Sequence, residues 1–224
     1  MSSSIATDCW VILPMYNEAR YIQRVLAKIQ KLTPRVIVID DGSSDGSADL
    51  AKQAGAVVLV HSVNLGKGAA LKTGCEYAFQ KLGAEKVVIL DSDDQHDPTL
   101  LPTFFKQLET QPVVLGIRQL DRSMPFFRRW GNHFLSWLVQ CLFGTHIPDI
   151  LSGYKGFTKK AYQQLRWGSS AYGVETEISI RIAQQKIPFS TIKIPTIYHD
   201  FNRGMTLFDT FEIIAQIISW RFTL

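Results

Sequence analysis

Four short runs, Trp10–Leu13, Val36–Ile39, Val57–Val60 and Val87–Leu90, limit what this chain can fold into. Each is apolar throughout and rich in β-branched residues, with no alternation of apolar and polar positions. A strand can be apolar on both sides only if both sides are covered. The runs therefore predict a parallel sheet between two layers of helices. Helical patterns lie between them. Ile22, Val25, Leu26 and Ile29 form one apolar face. Ser43 or Ser44 can cap a second helix through Ala48, Leu50 and Ala51, and Gly68 to Leu82 can form a third. The resulting order, βαβαβαβ, specifies an α/β fold with an open, mostly parallel sheet and helices on both faces. Further along, Val113–Leu115 and Ile192–Ile197 read as strands, and Phe134–Phe143 and Leu207–Phe222 as helices.

The chain ends of these strands carry the chemistry. The first runs into Pro14-Met15-Tyr16-Asn17-Glu18, the second into Asp40-Asp41-Gly42-Ser43, and the fourth into Asp91-Ser92-Asp93. Ligands of open α/β sheets bind beyond the carboxyl ends of the strands. Turns need an Asp or Gly, but they do not need a rim of carboxylates, so this edge is the candidate site. Asp91 and Asp93 are spaced so that both can turn into the crevice, and Gln95 adds a neutral oxygen. Hard oxygen donors of this kind suit Mg²⁺ or Mn²⁺ shared with phosphate. A metal there would stabilise a diphosphate leaving group. Asn64-Leu65-Gly66-Lys67-Gly68 resembles a phosphate loop only superficially. His61 stands where the Walker pattern needs its first glycine, and no GxGxxG follows the first strand.

Composition narrows the rest. A chain of 224 residues that is 46% hydrophobic suits one globular domain, and a net charge of +4 is too mild to imply nucleic-acid binding. Cys9, Cys75 and Cys141 are far apart and lack zinc spacing, which fits reduced cytosolic thiols. Residues 1–8 lack the basic-then-apolar pattern of a secretory signal, and no run is long and apolar enough to predict a membrane span.

The motif series, in order, resembles family 2 glycosyltransferases of the GT-A fold. Pro14-Met15-Tyr16-Asn17-Glu18, Asp40-Asp41-Gly42-Ser43-Ser44-Asp45, Asn64-Leu65-Gly66-Lys67-Gly68 and Asp91-Ser92-Asp93-Asp94-Gln95-His96 carry the likeness. Asp149-Ile150-Leu151-Ser152-Gly153-Tyr154-Lys155 is similar to an element of the dolichyl-phosphate mannosyltransferase branch. The resemblance implies a nucleotide sugar donor held at its base and ribose by Pro14, Tyr16 and Glu18. It implies that Asp41 reads the base while Asp40 supports the turn. Lys67 would join the donor site. Asp91, Asp93 and Gln95 would bind the metal and diphosphate, with Asp93 the principal ligand. Arg118, with Arg128 or Arg129, would hold the phosphate of a polyprenyl phosphate acceptor. That acceptor is already ionised and needs arginine forks more than a base. Arg122 belongs to the same basic cluster. The late segment departs from the family pattern: Met205-Thr206 stands in place of Ser-Lys, leaving Arg203 as the candidate for the diphosphate. If the acceptor were instead a sugar or lipid hydroxyl, Glu177 or Glu175 could be its base, although acids are also ordinary at a helix start. A non-catalytic sugar-nucleotide-binding subunit of a membrane complex is the other reading.

Residues 1–206 are expected to form the catalytic domain, and 207–224 an amphipathic helix with polar residues Asp209, Glu212, Gln216 and Ser219 on one stripe. That helix, and Phe134–Phe143 with Ser136 and Gln140 as its polar side, can face a membrane surface, a small membrane subunit or the core. The expected setting is the cytoplasmic face of a membrane, with peripheral attachment.

Overall fold

The computed structural model describes residues 8–119, 126–170, 173–195, 197 and 207–223, with the backbone only for 126–129 and 207–211. The elements run β1 (Cys9–Met15), α1 (Ile22–Gln30), β2 (Val36–Asp40), α2 (Ser47–Gln53), β3 (Val57–Val60), α3 (Lys67–Lys81) and β4 (Lys86–Ile89). A 3-10 turn (Pro98–Leu100) then leads into α4 (Leu101–Gln107), β5 (Val113–Arg118), α5 (Phe126–Phe143), β6 (Lys155–Thr158) and α6 (Lys159–Leu165). The last elements are α7 (Val174–Gln184), β7 (Phe189–Ile194) and α8 (Leu207–Thr223). One sheet of seven strands has the order β3-β2-β1-β4-β6-β5-β7.

Three of the four apolar runs have the expected cause; the fourth, β3 at the sheet edge, is only part-buried and exposes Val60. Ile12, Ile37, Ile39, Val87 and Ile89 pack with Leu71, Cys75 and Ala78 of α3 on one face. Val11, Leu13, Val36, Val38 and Val88 pack with Ile22, Val25, Leu26 and Ile29 of α1 on the other. Successive strand residues point to opposite faces, so only a strand covered twice is apolar at every position.

Two helix details differ from the sequence expectation, and α8 is divided between the core setting left open for it and an exposed face. Neither Ser43 nor Ser44 caps α2. That helix starts at Ser47 behind Gly46, and the two serines bond across to Asn17. Ser136 is not on a polar outer side of α5. It is buried with Asn132, and its hydroxyl donates to Pro148 O, while Gln140 is exposed, together with Trp130, His133, Trp137 and Cys141. In α8, Ile213 and Ile217 join the core against α5 and α7, whereas Ile218 and Phe222 face outward. The side chain of Asp209 lies outside the described residues. No helix among the described residues is long and apolar enough to cross a membrane.

The strand that positions the site is β6, which was not legible in advance. It is antiparallel to both neighbours, β4 and β5, while every other pairing in the sheet is parallel. Running backwards, β6 begins at the edge where β1, β2, β4 and β5 end. The segment 149–154 that feeds it is thereby delivered to the acidic rim.

Candidate active site

Two motif loops are stapled together at the rim. Asn17, at φ +55°, donates its N–H to Ser43 Oγ and accepts from Ser44 N–H at its side-chain oxygen. Glu18 N–H donates to Ser47 Oγ at 2.9 Å, and Ala19 N–H to Asp45 Oδ2 at 2.9 Å. Ser92 Oγ donates to Pro14 O at 2.8 Å, which joins the fourth motif to the first. Tyr16 stands exposed at the mouth.

The two second-strand carboxylates have different partners. Asp41 accepts from Leu65 N–H and Gly66 N–H at 3.0 and 2.7 Å, and its Oδ1 also meets His61 Nδ1 at 2.7 Å. Both its oxygens are thus spent on shaping the Asn64–Gly68 loop. Buried Asp40 accepts from Ser43 N–H through Oδ2, and its Oδ1 has no partner among the described residues. Gly42 is obligatory at this turn. Its φ is +78°, and a Cβ there would come within 2.8 Å of the Val63 carbonyl carbon.

At the fourth motif, Asp91 Oδ1 lies 2.6 Å from the Lys67 ammonium, and Oδ2 lies 3.2 Å from His96 Nε2. Burial alone would raise the Asp91 pKa, but the Lys67 charge and His96 outweigh it and hold the carboxyl far below the usual range. Asp93 is shifted the other way: burial, then the Asp91 charge, raises it. Asp94, at φ +62°, turns back into the protein, where Arg24 and Lys28 of α1 bind it at 2.8 and 2.7 Å. It supports the turn and is not aimed at the rim. Gln95 N–H donates to Asp93 Oδ1 at 3.0 Å, closing the Asp93–Gln95 turn. His96, not expected to act from the sequence, is a direct neighbour of the first carboxylate and rests edge-on against Tyr154. Asp91, Asp93 and Gln95 are hard oxygen donors, and a cationic ammonium already rests on Asp91. The chemistry of the set therefore fits Mg²⁺ or Mn²⁺.

Arg118, the last residue of β5, is gripped by Asp149. Arg118 Nε and Nη2 donate to the two Asp149 oxygens at 2.8 Å each, and its backbone N–H adds a third bond at 3.1 Å. Burial opposes ionisation of Asp149, but the Arg118 bonds and charge win and lower its pKa. Behind this pair, Lys155 is fully buried, bonds Ser179 Oγ at 3.3 Å, and is pushed down to about 8 by burial against the pull of Asp149 and Glu175. Asp91, Gln95, His96, Arg118, Ser152 and Gly153 line a single cleft of about 80 Å³. A larger concavity of about 460 Å³ lies between β3 and α3, away from the acidic rim. None of the candidate catalytic, donor or metal residues lines it. The side chain of Arg129, like that of Arg128, lies outside the described residues, as do Arg122 and Arg203.

The candidate bases are both occupied. Glu177 accepts from Gly168 N–H and Arg181 Nε through Oε1 and from Ser169 N–H through Oε2, at 2.7 to 2.9 Å. Burial would raise its pKa, but these bonds hold it down. Glu177 thus fixes the 168–170 segment, whose Ser170 O caps the Gly68 and Ala69 N–H groups of α3. Glu175 pairs with Lys67 at 2.5 Å. Replacing Glu177 by Gln is expected to cost about 1–3 kcal/mol of stability at neutral pH and to leave the shape of the pH–rate profile unchanged. A depressed carboxylate stabilises the fold above its unfolded pKa, and that contribution fades as pH falls through the folded one. The deficit of the variant, followed by thermal melting, should therefore shrink in acid.

Comparison with known proteins gives the family. Glycosyltransferase AglJ of Haloferax volcanii is 34% identical over 84% of this chain and 62% of its own length. The UDP-N-acetylglucosamine–dolichyl-phosphate N-acetylglucosaminyltransferase of Methanococcus voltae is 27% identical over 93% of this chain and 94% of its own. The structure of glucosyl-3-phosphoglycerate synthase from Mycobacterium tuberculosis, solved with Mn²⁺, UDP and glucosyl-3-phosphoglycerate, superposes with a TM-score of 0.73. That comparison covers 98% of this chain and 81% of the other at 23% identity, and it shows the shared GT-A fold. The family model for glycosyl transferase family 2 matches residues 10–168. The chain belongs to that family and is a glycosyltransferase.

Proposed function

We propose that this enzyme transfers a hexose, with inversion, from a nucleoside diphosphate sugar of the GDP-mannose or UDP-glucose type to a polyprenyl phosphate, with Mg²⁺ or Mn²⁺ required. The observation that carries the reading is the single cleft lined by both Asp91 and Arg118. A donor diphosphate at the carboxylates and an anionic acceptor at the arginine would meet there. Asp91, Asp93 and Gln95 would hold the metal, which would supply charge to stabilise the departing nucleoside diphosphate. Tyr16 and Glu18 sit on the rim loop where a base and ribose would lie, and Pro14 is buried near the end of β1, just before that loop. The unpartnered Asp40 Oδ1 is the carboxylate oxygen left over after Asp41 has shaped the neighbouring loop.

The acceptor assignment follows from proton accounting. A hydroxyl nucleophile must lose a proton to a base, whereas an ionised phosphate needs only charge and orientation. Glu177 is committed to backbone amides and Glu175 to Lys67. Arg118, by contrast, presents a guanidinium pre-oriented by Asp149. Arg129 and Arg203 are proposed as the second acceptor arginine and the diphosphate arginine. The exposed Trp130 and Trp137 of α5, with Ile218 and Phe222 of α8, supply an apolar face suited to a membrane surface or a small membrane subunit. Peripheral attachment at the cytoplasmic side fits that face.

A radiolabelled donor panel with Mn²⁺ and polyprenyl phosphate tests the reading. Transfer of label into the lipid fraction is expected. Transfer to hydroxyl acceptors alone, with a pH–rate limb that disappears in Glu177→Gln, would refute it.

A further inference from the structure

The cation resting on Asp91 is a side chain of the protein itself. The Lys67 ammonium sits between Asp91 Oδ1 and Glu175 Oε1, at 2.6 and 2.5 Å, and His96 takes the other Asp91 oxygen. Both oxygens of the first carboxylate are therefore engaged. A divalent ion coordinated by Asp91 would need one of them at about 2.0–2.6 Å. It could not share Oδ1 with an ammonium at that range without strong repulsion. The lysine can yield, because its long flexible stem springs from the first residue of α3 and the head can swing while the helix stays in place. Among the described residues, no group of three His, Cys, Asp or Glu side chains converges to hold a metal. A metal shell here would be completed by phosphate oxygens. Nor is the start of α3 open to a phosphate, since Gly68 and Ala69 N–H already donate to Ser170 O. Among the described residues, the cation in direct contact with Asp91 and within reach of a diphosphate there is the Lys67 head.

We propose that Lys67 is the resident counter-ion of the metal site. It occupies Asp91 until the nucleoside diphosphate arrives, then moves onto the diphosphate, so that metal and donor enter together. This rests on the metal-dependent reading above. It assigns Lys67 a role in the order of binding, separate from any part in the chemical step.

The test is Mn²⁺ uptake, followed by the electron paramagnetic resonance signal of the free ion, with no nucleotide and with GDP or UDP, against protein-free blanks. Wild type is expected to bind Mn²⁺ weakly alone and at least about tenfold more tightly with the diphosphate. Lys67→Met, checked for folding by thermal melting, is expected to bind Mn²⁺ alone about tenfold more tightly than wild type and to gain less from the diphosphate. Lys67→Met strands Glu175, which could itself attract the ion, so the Lys67→Met/Glu175→Gln pair must keep the gain. If that gain is absent, or is lost in the double variant, while wild type still takes up Mn²⁺ with the diphosphate, the counter-ion role is overturned and the metal reading stands. If no protein takes up Mn²⁺ with either diphosphate, or Asp93→Asn binds it like wild type, the metal reading falls and the counter-ion role falls with it.

Discussion

Asp93→Asn is expected to lower kcat by about 100- to 1000-fold, the usual cost of removing a principal electrostatic group from a site of this kind. The same variant should melt no lower than wild type without ligand. Burial and the neighbouring Asp91 charge both disfavour the ionised Asp93 carboxylate, so the folded protein carries a penalty at neutral pH that the amide removes. The sign follows from linkage: a carboxyl whose folded pKa is raised destabilises the fold above that pKa, and the penalty fades as pH falls through it. Any gain in melting temperature should be visible at neutral pH and vanish in acid. A radiometric transfer assay and a thermal melt on the same preparation check both halves. Activity lost together with folding would contradict the assignment.

Arg118→Ala is expected to have the largest effect on stability, at about 3–5 kcal/mol. The Asp149 side chain has no solvent exposure, and Arg118 supplies three of its hydrogen bonds. Truncating the arginine leaves a buried carboxylate uncompensated apart from nearby Lys155. For a chain of this size, the melting temperature should fall by about 10 °C. Asp149 is ordinarily held below the usual carboxylate range, so its pairing stabilises the protein above the unfolded pKa and ceases to do so in acid. The gap between variant and wild type should therefore narrow as pH drops towards the carboxylate range. Replacing the pair together, Arg118→Met with Asp149→Leu, should recover much of the stability, because the desolvation cost is removed along with the attraction. It should not recover turnover, and KM for polyprenyl phosphate should remain raised by about tenfold or more. A double variant that restored both would mean that the arginine only holds the fold.

The donor half of this protein is legible in its sequence for a simple reason. Three of its parallel strands, β1, β2 and β4, are covered on both faces, so they are unbroken apolar runs, and each leads into a carboxylate; β3, at the sheet edge, is apolar but only part-buried. The acceptor half was harder because its determinants are pairings over long distances. Nothing local announces that Lys67 meets Glu175, or that Arg118 meets Asp149. The strand β6 is four residues, Lys155-Gly156-Phe157-Thr158, that include a buried lysine and a glycine, so no propensity marks it. Glu177 shows a related blind spot. An acid in the first turn of a helix looks alike whether it meets solvent, substrate or, as here, the amides of a neighbouring loop. The apolar spacing predicts a strand over Ile192–Ile197, whereas pairing with β5 starts at Phe189 and stops at Ile194. Pro195 follows and has no N–H to continue a ladder.

The backward course of β6 has a consequence for how the molecule is assembled. The strands β4 and β5 are joined through α4 and point the same way, and neighbours of that kind ordinarily pair directly. In the finished sheet they do not, because β6, synthesised after both, lies between them. A direct β4–β5 pair formed early is a trap that must be undone. Productive folding therefore has to keep a gap of two strand spacings, about 10 Å, open between them. Lys155 closes it, opposite Ile89 on one side and Leu115 on the other. The residue that commits the sheet to its final order is thus the one buried beneath Arg118, and the acceptor side of the cleft is completed when the last gap in the sheet is filled.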